Sequence, residues 1–285
     1  MDKKSPYFLS SIILTTKHSK SIAIAPAFFN ILSAEIVECN TDTDVFGTFS
    51  GEVERTGNAL DCAKTKCELG MNLTNAYYGL SSEGSFGSHP YIPFLSCDQE
   101  ILYFIDRIRN FHLYVSSISE KTNYNIKSLD SMNELEIFAK KALFPSHALI
   151  VRSDNKKNKN FLFKGINTFD MLEQAFKDSM KHSRNGKVWV ETDMRANMNP
   201  SRMGVIQSLA EELAKSLSRL CPQCNTPGWG KVHVEKGLEC GWCGMETELL
   251  RAEIYGCVKC AHKEKTRPFH NLLTADPENC SSCNP

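Results

Sequence analysis

Apolar residues along this chain gather in short runs, and the spacing inside each run separates strands from helices. Compact runs rich in Ile, Leu, Val and aromatic residues predict strands over 8–14, 34–39, 77–80, 101–105, 113–117, 148–152, 161–163 and 188–191. Between them apolar residues recur every three or four positions, which predicts helices over 22–32, 59–69, 132–143, 171–182 and 200–220. Two helix starts carry their own signals. Ser131 followed by Glu134 is a capping box, and Asn199 before Pro200 is an N-cap with proline in the first turn. In the last helix Val205, Ile206, Leu209, Leu213, Leu217 and Leu220 share a face, so it should dock on the α/β core and lead directly into the segment after residue 220. The alternation predicts an α/β domain over 1–220, with a mixed sheet and flanking helices.

The polar segments after these strands are unusual. The first strand ends not in turn residues but in TTKHSK, 15–20, which is dense in hydroxyl and ammonium donors suited to phosphate. Acids, threonines and glycines fill 40–54, NTDTDVFGTFSGEVE, and the segment 81–90, SSEGSFGSHP, places Glu83 among small residues. A fourth segment, ETDMRANMNPSR over 191–202, sets Arg195 and Arg202 beside a helix N-terminus, where unpaired amides favour anions. In an α/β domain ligands bind at the carboxyl ends of strands, and these loops are read as lying there. Their acids could hold Mg²⁺ or Mn²⁺ and their cations could hold phosphate. The stretch 153–160, rich in Asn and Lys, reads as an exposed hairpin loop, and His18, His89 and His147 as structural histidines.

Composition excludes several classes. With 41% hydrophobic and 23% charged residues in 285, the chain is long enough for one sizeable core and a smaller unit. Lys+Arg and Asp+Glu are equal at 33 each, so no overall field draws in nucleic acid or an anionic membrane. The apolar runs are far shorter than the roughly 20 residues that span a bilayer. Lys17, His18 and Lys20 interrupt any signal-like core near the N-terminus, and a cytoplasmic location is expected.

Eight of the 12 cysteines form four CxxC pairs after residue 220: Cys221/Cys224, Cys240/Cys243, Cys257/Cys260 and Cys280/Cys283. Each pair sets two thiolates on one knuckle, and two knuckles complete a tetrahedral Zn²⁺ shell, which predicts a double zinc-ribbon domain over 221–285 with two structural zinc ions. Sequential pairing is the simplest arrangement. A crossed pairing, first with third and second with fourth, and iron–sulfur ligation are alternatives. Four thiolates leave zinc no open position, so the ribbons do not supply the chemistry. With seven Lys/Arg against eight Asp/Glu over 221–285 they are poorly suited to nucleic acid, and a protein contact through Trp229 and Trp242 is the alternative to their packing inside the ribbons. Cys39, Cys62, Cys67 and Cys97 read as core residues.

These motifs carry two resemblances. TTKH, DTDVFGTFSGE, SSEGSFG, ETDMRANMNPSR and the four knuckles, in that order, resemble a bacterial family described only as a domain of unknown function with a C-terminal zinc-ribbon region, which implies no activity. TTKHSKSIAIAPAF also resembles the opening of the inosine/xanthosine triphosphate pyrophosphatases. That resemblance implies a phosphate cradle of Thr15, Thr16 and Lys20 and, through LSSEG at 80–84, a role for Glu83 as Mg²⁺ ligand or base. It departs from that family at Lys17 and His18, which replace Asn-Pro, and at Gly57, where an acid stands. The function it implies is metal-dependent nucleotide-phosphate hydrolysis, with Glu83, Asp42, Asp44, Arg195 and Arg202 as catalytic groups. The alternative is a non-catalytic nucleotide-recognition or scaffold module that acts through protein contacts of its ribbons.

Overall fold

The structure is a computed structural model that describes residues 5–41, 57–153 and 161–285. In β1 (Ser11–Thr16) Ile12 and Leu14 point into one core. α1 (Ser21–Leu32) buries Ala23, Ile24, Ala27, Phe28 and Leu32 at three- and four-residue spacing and stops where Ser33 turns left-handed. β2 (Glu35–Asn40) returns parallel to β1. α2 (Ala59–Thr74) starts at Asn58, whose side chain accepts from the Asp61 amide. β3 (Tyr78–Ser88), β4 (Ser96–Asp106) and β5 (Phe111–Ser119) then run as an antiparallel meander. The sheet order is β2-β1-β3-β4-β5, with β1 parallel to both neighbours, so the sheet is mixed as expected.

A second sheet carries its own core. β6 (Ile126–Leu129), α3 (Met132–Lys141), β7 (Leu149–Ser153), β8 (Leu162–Ile166), α4 (Phe169–Lys181) and β9 (Val188–Thr192) form a sheet of order β6-β9-β7-β8 with two helices. Leu135 and Phe138 of α3 and Leu172 and Phe176 of α4 pack on Leu149, Val151, Val188 and Val190. α5 (Pro200–Ser218) then returns to the first sheet, where Ile206, Leu209, Leu213 and Leu217 meet Ile12, Leu14, Phe28 and Phe104. α1 and α5 thus cover one face of the first sheet. α2 covers the other, through Ala63, Cys67 and Met71 against Tyr103.

The remaining strands are β10 (Gly230–Lys236), β11 (Leu250–Gly256) and β12 (Lys263–Thr266), an antiparallel sheet between the cysteine knuckles. The helix starts at Ser131 and Asn199 form as expected: the two side chains accept from the amides of Glu134 and Arg202. Of the expected hairpin loop at 153–160, Ser153 is the last residue of β7, and 154–160 lie outside the described residues.

One expectation changes the site. The segment 81–90 is not a strand-end loop, because β3 continues to Ser88 paired with β4, and Glu83 stands opposite Ile101 in mid-strand. Small polar residues read as a loop here, but cross-strand pairing in a central strand outweighs their weak intrinsic preference. No helix among the described residues is long and apolar enough to cross a membrane.

Candidate functional site

β1 ends at Thr16 while β3 runs on, so from Ser82 onward the edge of β3 has no β1 partner. Lys20, at the N-cap of α1, fills that step. Its ammonium donates to the carbonyl of Ser82 at 3.2 Å and lies 3.1 Å from the Ser82 hydroxyl. Burial, and then the positive charge of Arg202, push its pKa down to about 7, against the pull of Glu100 and Glu83. Lys20, Arg202, Glu100, Glu83 and Lys66 therefore share one electrostatic environment, although they come from α1, α5, β4, β3 and α2.

Strand alternation splits this cluster between the two faces of the sheet. On the α1/α5 face lie Ser82, Gly84 and Phe86 of β3 with Asp98 and Glu100 of β4. Arg202 reaches them from the first turn of α5: its Nε meets Glu100 Oε1 at 2.5 Å, its Nη1 donates to the Met194 carbonyl at 2.5 Å, and its guanidinium sits 5.1 Å over the Phe86 ring. Gly84 allows this approach, since a β-carbon there would collide with the carboxylate of Glu100 and the guanidinium of Arg202. On the opposite face Glu83 forms a buried ion pair with Lys66 of α2, and the Ser81 hydroxyl donates to the Ala63 carbonyl at 2.5 Å.

The residues expected to act together do not all meet. Lys20 lies within electrostatic reach of Arg202 and Glu100 on one face of the sheet and of Glu83 on the other. Thr16 accepts from the His18 amide at 3.4 Å on the Lys20 side of β1. Thr15 faces the other way, its hydroxyl wedged against Gly70 of α2 and without a hydrogen-bond partner among the described residues, so the two threonines do not form one cradle. Arg195 lies along Asp193, with Nε 2.9 Å from Oδ1 and Nη2 2.5 Å from Oδ2, and the same carboxylate accepts from the Gly165 amide of β8. Asp42 and Asp44 lie outside the described residues. His147 is structural: its Nε2 accepts from the Ser201 amide at 3.2 Å at the start of α5, and burial lowers its pKa.

Three site residues went unrecognised in the sequence: Lys66, Asp98 and Glu100. A signal existed for each. Asp98 and Glu100 fall in phase with Leu102 and Phe104 on the core face of one strand, and Lys66 interrupts the buried stripe of Cys62, Ala63, Cys67 and Gly70. A charge in phase with a core face must be paired or used.

The cysteines form two clusters, Cys221/Cys224/Cys257/Cys260 and Cys240/Cys243/Cys280/Cys283, each with its sulfurs within 4.8 Å of one another. The sequential pairing expected as the simplest is therefore replaced by the crossed one. The hairpin explains it. β10 and β11 pair Gly230 with Gly256 at one end and Lys236 with Leu250 at the other, so knuckles one and three share an end and knuckle two lies at the far end. A seven-residue strand holds those ends about 20 Å apart.

The clusters fit zinc. Sγ···Sγ distances of 3.8 Å (Cys221–Cys260), 3.5 Å (Cys224–Cys257), 3.9 Å (Cys240–Cys283) and 3.6 Å (Cys243–Cys280) bracket the ~3.8 Å edge of a tetrahedron with 2.3 Å metal–sulfur bonds. The Thr226 hydroxyl and then its amide hold the Cys224 pKa at about 6, and the amides of Cys243 and Trp242 hold Cys240 at about 7. In the same clusters Cys260 and Cys283 are pushed up to about 12, since four crowded sulfurs ionise together only around a cation. The first cluster abuts the α/β core: Val258 packs against it and the Lys259 ammonium donates to the Arg109 carbonyl at 2.7 Å. Trp229 stacks on His262 with ring centroids 5.4 Å apart, while Trp242 of the second cluster is 77% exposed.

The family model described as Domain of unknown function (DUF6671) matches residues 66–285. The chain belongs to this family. The matched span takes in Lys66, Glu83, Asp98, Glu100, Arg202 and all eight knuckle cysteines, whereas Thr15, Thr16 and Lys20 precede it. No curated protein and no solved structure matches the chain.

Proposed function

We propose that this protein is a metal-dependent nucleotide-phosphate hydrolase carrying two structural zinc sites. The observation that supports the reading is the gathering of charge around Lys20 where β1 ends and β3 continues, with Arg202 and Glu100 on one face of the sheet and Glu83 on the other. Strand ends beside a helix N-terminus are where open α/β sheets take their ligands. Lys20 and Arg202 supply the positive charge for phosphate oxygens, and the Thr16 hydroxyl and the first turn of α1 supply further donors. Lys66 fixes the carboxylate of Glu83, which orients the attacking water. A divalent cation bound among these acids would supply Lewis acidity. Thr15, which faces α2, and Arg195, which is paired with Asp193, take no part in this scheme.

The products proposed are a nucleoside monophosphate and pyrophosphate, from attack of water at the α-phosphorus. The experiment is pyrophosphate and phosphate release from ordinary and deaminated nucleoside triphosphates with Mg²⁺ or Mn²⁺, for the wild type, Lys20→Ala and Glu83→Gln. Turnover in the wild type that both folded variants lose supports the reading. No release by zinc-loaded wild type across the panel overturns it.

A second reading, a recognition or scaffold module without turnover, is favoured by the exposure of Trp242, Phe269 and Leu273 near the chain's C-terminal knuckles. There the partner is a protein docking on the ribbons, and nucleotide binding persists without release of product. Either reading suits a reducing cytoplasm, which keeps eight thiolates available to metal.

A further inference from the structure

Asp98 and Glu100 hold the least satisfied polar atoms of this cluster. They stand two residues apart on β4, hence on one face, and are 1% and 0% exposed. Glu100 places Oε1 on Arg202, but its Oε2 and the Oδ1 of Asp98 are buried with no hydrogen-bond donor among the described residues. The two side chains are close enough to share a hydrogen bond, which needs a proton between groups that would otherwise repel. Burial, followed by the Glu100 charge, accordingly pushes Asp98 up to about 8. Two adjacent buried carboxylates with open lone pairs call for a proton or a cation.

We propose that Asp98 and Glu100 are the protein ligands of one divalent cation, Mg²⁺ or Mn²⁺, with water and a substrate phosphate oxygen completing its shell. Only the phosphate in that statement rests on the proposed hydrolase function; the cation site rests on the two carboxylates. A hard oxygen pair suits these ions, which take one or two carboxylates and keep several waters, whereas zinc is better served by the thiolate clusters. Glu83 lies on the opposite face of the sheet, against Lys66, and stays outside this ligand pair.

Among the described residues the charged groups facing the pair are Arg202 of α5 and Lys20 of α1, with the Lys66–Glu83 pair behind the sheet.

The test is titration of the zinc-loaded full chain with Mn²⁺, read by the loss of the free-ion paramagnetic resonance signal, for the wild type and Asp98→Asn. One Mn²⁺ per chain beyond the zinc, displaced by Mg²⁺ and weakened about tenfold or more in a folded Asp98→Asn variant, is the expected result. Absence of Mn²⁺ uptake by the wild type, or equal affinity in the variant, overturns the proposal. If Asp98→Asn fails to fold, paramagnetic broadening in the wild type decides, because the Arg202 Nε–H lies against Glu100: loss of its resonance at one equivalent of Mn²⁺ supports the site and its survival removes it. Mn²⁺ binding without nucleotide turnover would retain the cation site and reject the hydrolase. Turnover with Mn²⁺ affinity unchanged in Asp98→Asn would do the reverse.

Discussion

Arg202 and Glu100, 102 residues apart in sequence, meet at 2.5 Å between Nε and Oε1 with both side chains fully buried. The contact ties the first turn of α5 to the middle of the first sheet. A buried pair stabilises little compared with an apolar replacement, but losing one partner strands the other charge. Arg202→Ala and Glu100→Gln should each cost roughly 3–5 kcal/mol, and Arg202→Met combined with Glu100→Leu should cost less than either. Urea denaturation of the four chains checks this. Additive losses in the double variant would contradict the coupling.

Gly84 should tolerate no side chain. Its missing β-carbon is the space taken by the Glu100–Arg202 pair, so Gly84→Ala forces that pair apart and should cost about 1–3 kcal/mol. At Gly87, on the same strand, a β-carbon would meet nothing within 4 Å. Gly87→Ala is the control, and thermal midpoints of the two variants should differ clearly.

Asp98 makes stability depend on pH. Its folded pKa of about 8 lies above its ordinary 3.8, so the folded chain keeps a proton that the unfolded chain releases. The stabilisation is complete below about pH 4 and is lost as pH rises through 8. Asp98→Asn removes that loss. Without divalent metal the variant should gain on the wild type from pH 5 to pH 8.5, by a few kcal/mol at most, and denaturant midpoints at the two pH values test the sign.

Zinc stoichiometry tests the crossed pairing. Cys221→Ser with Cys257→Ser strikes one cluster and should leave one zinc, whereas Cys221→Ser with Cys240→Ser strikes both and should leave none. Sequential pairing predicts the opposite. Loss of the first cluster should also loosen the end of α5, since Cys221 stands just beyond that helix and Val258 packs on its core, while Cys243→Ser should leave the α/β region's midpoint nearly unchanged.

Much of the fold was legible because its signals are local. The helix starts at Ser131 and Asn199 depend on side chains within three residues of the amides they satisfy, and both form. The path of β3 was not legible: Ser81 to Ser88 has turn-like composition, and only pairing with Ser96 to Tyr103 makes it a strand. β10 and β11 were passed over because the cysteines around them carried the stronger pattern. In the site, Lys20 was visible from its place after a strand. Lys66, Asp98 and Glu100 were visible only as charges in phase with core faces, a weak signal until the facing elements are known.

The sequence by itself determined the α/β alternation, the helix caps and the identity of the eight thiolate ligands, since each depends on residue type and short spacing. Tertiary structure decided which knuckles share a metal, because an antiparallel hairpin brings its outer ends together and holds its turn about 20 Å away. It also decided that Thr15 and Thr16, adjacent in the chain, serve opposite faces, and that Lys20, Glu100 and Arg202, far apart in it, share one buried pocket of charge. Alternation along a strand separates neighbours, and packing of helices across a sheet joins strangers; neither is written in local spacing.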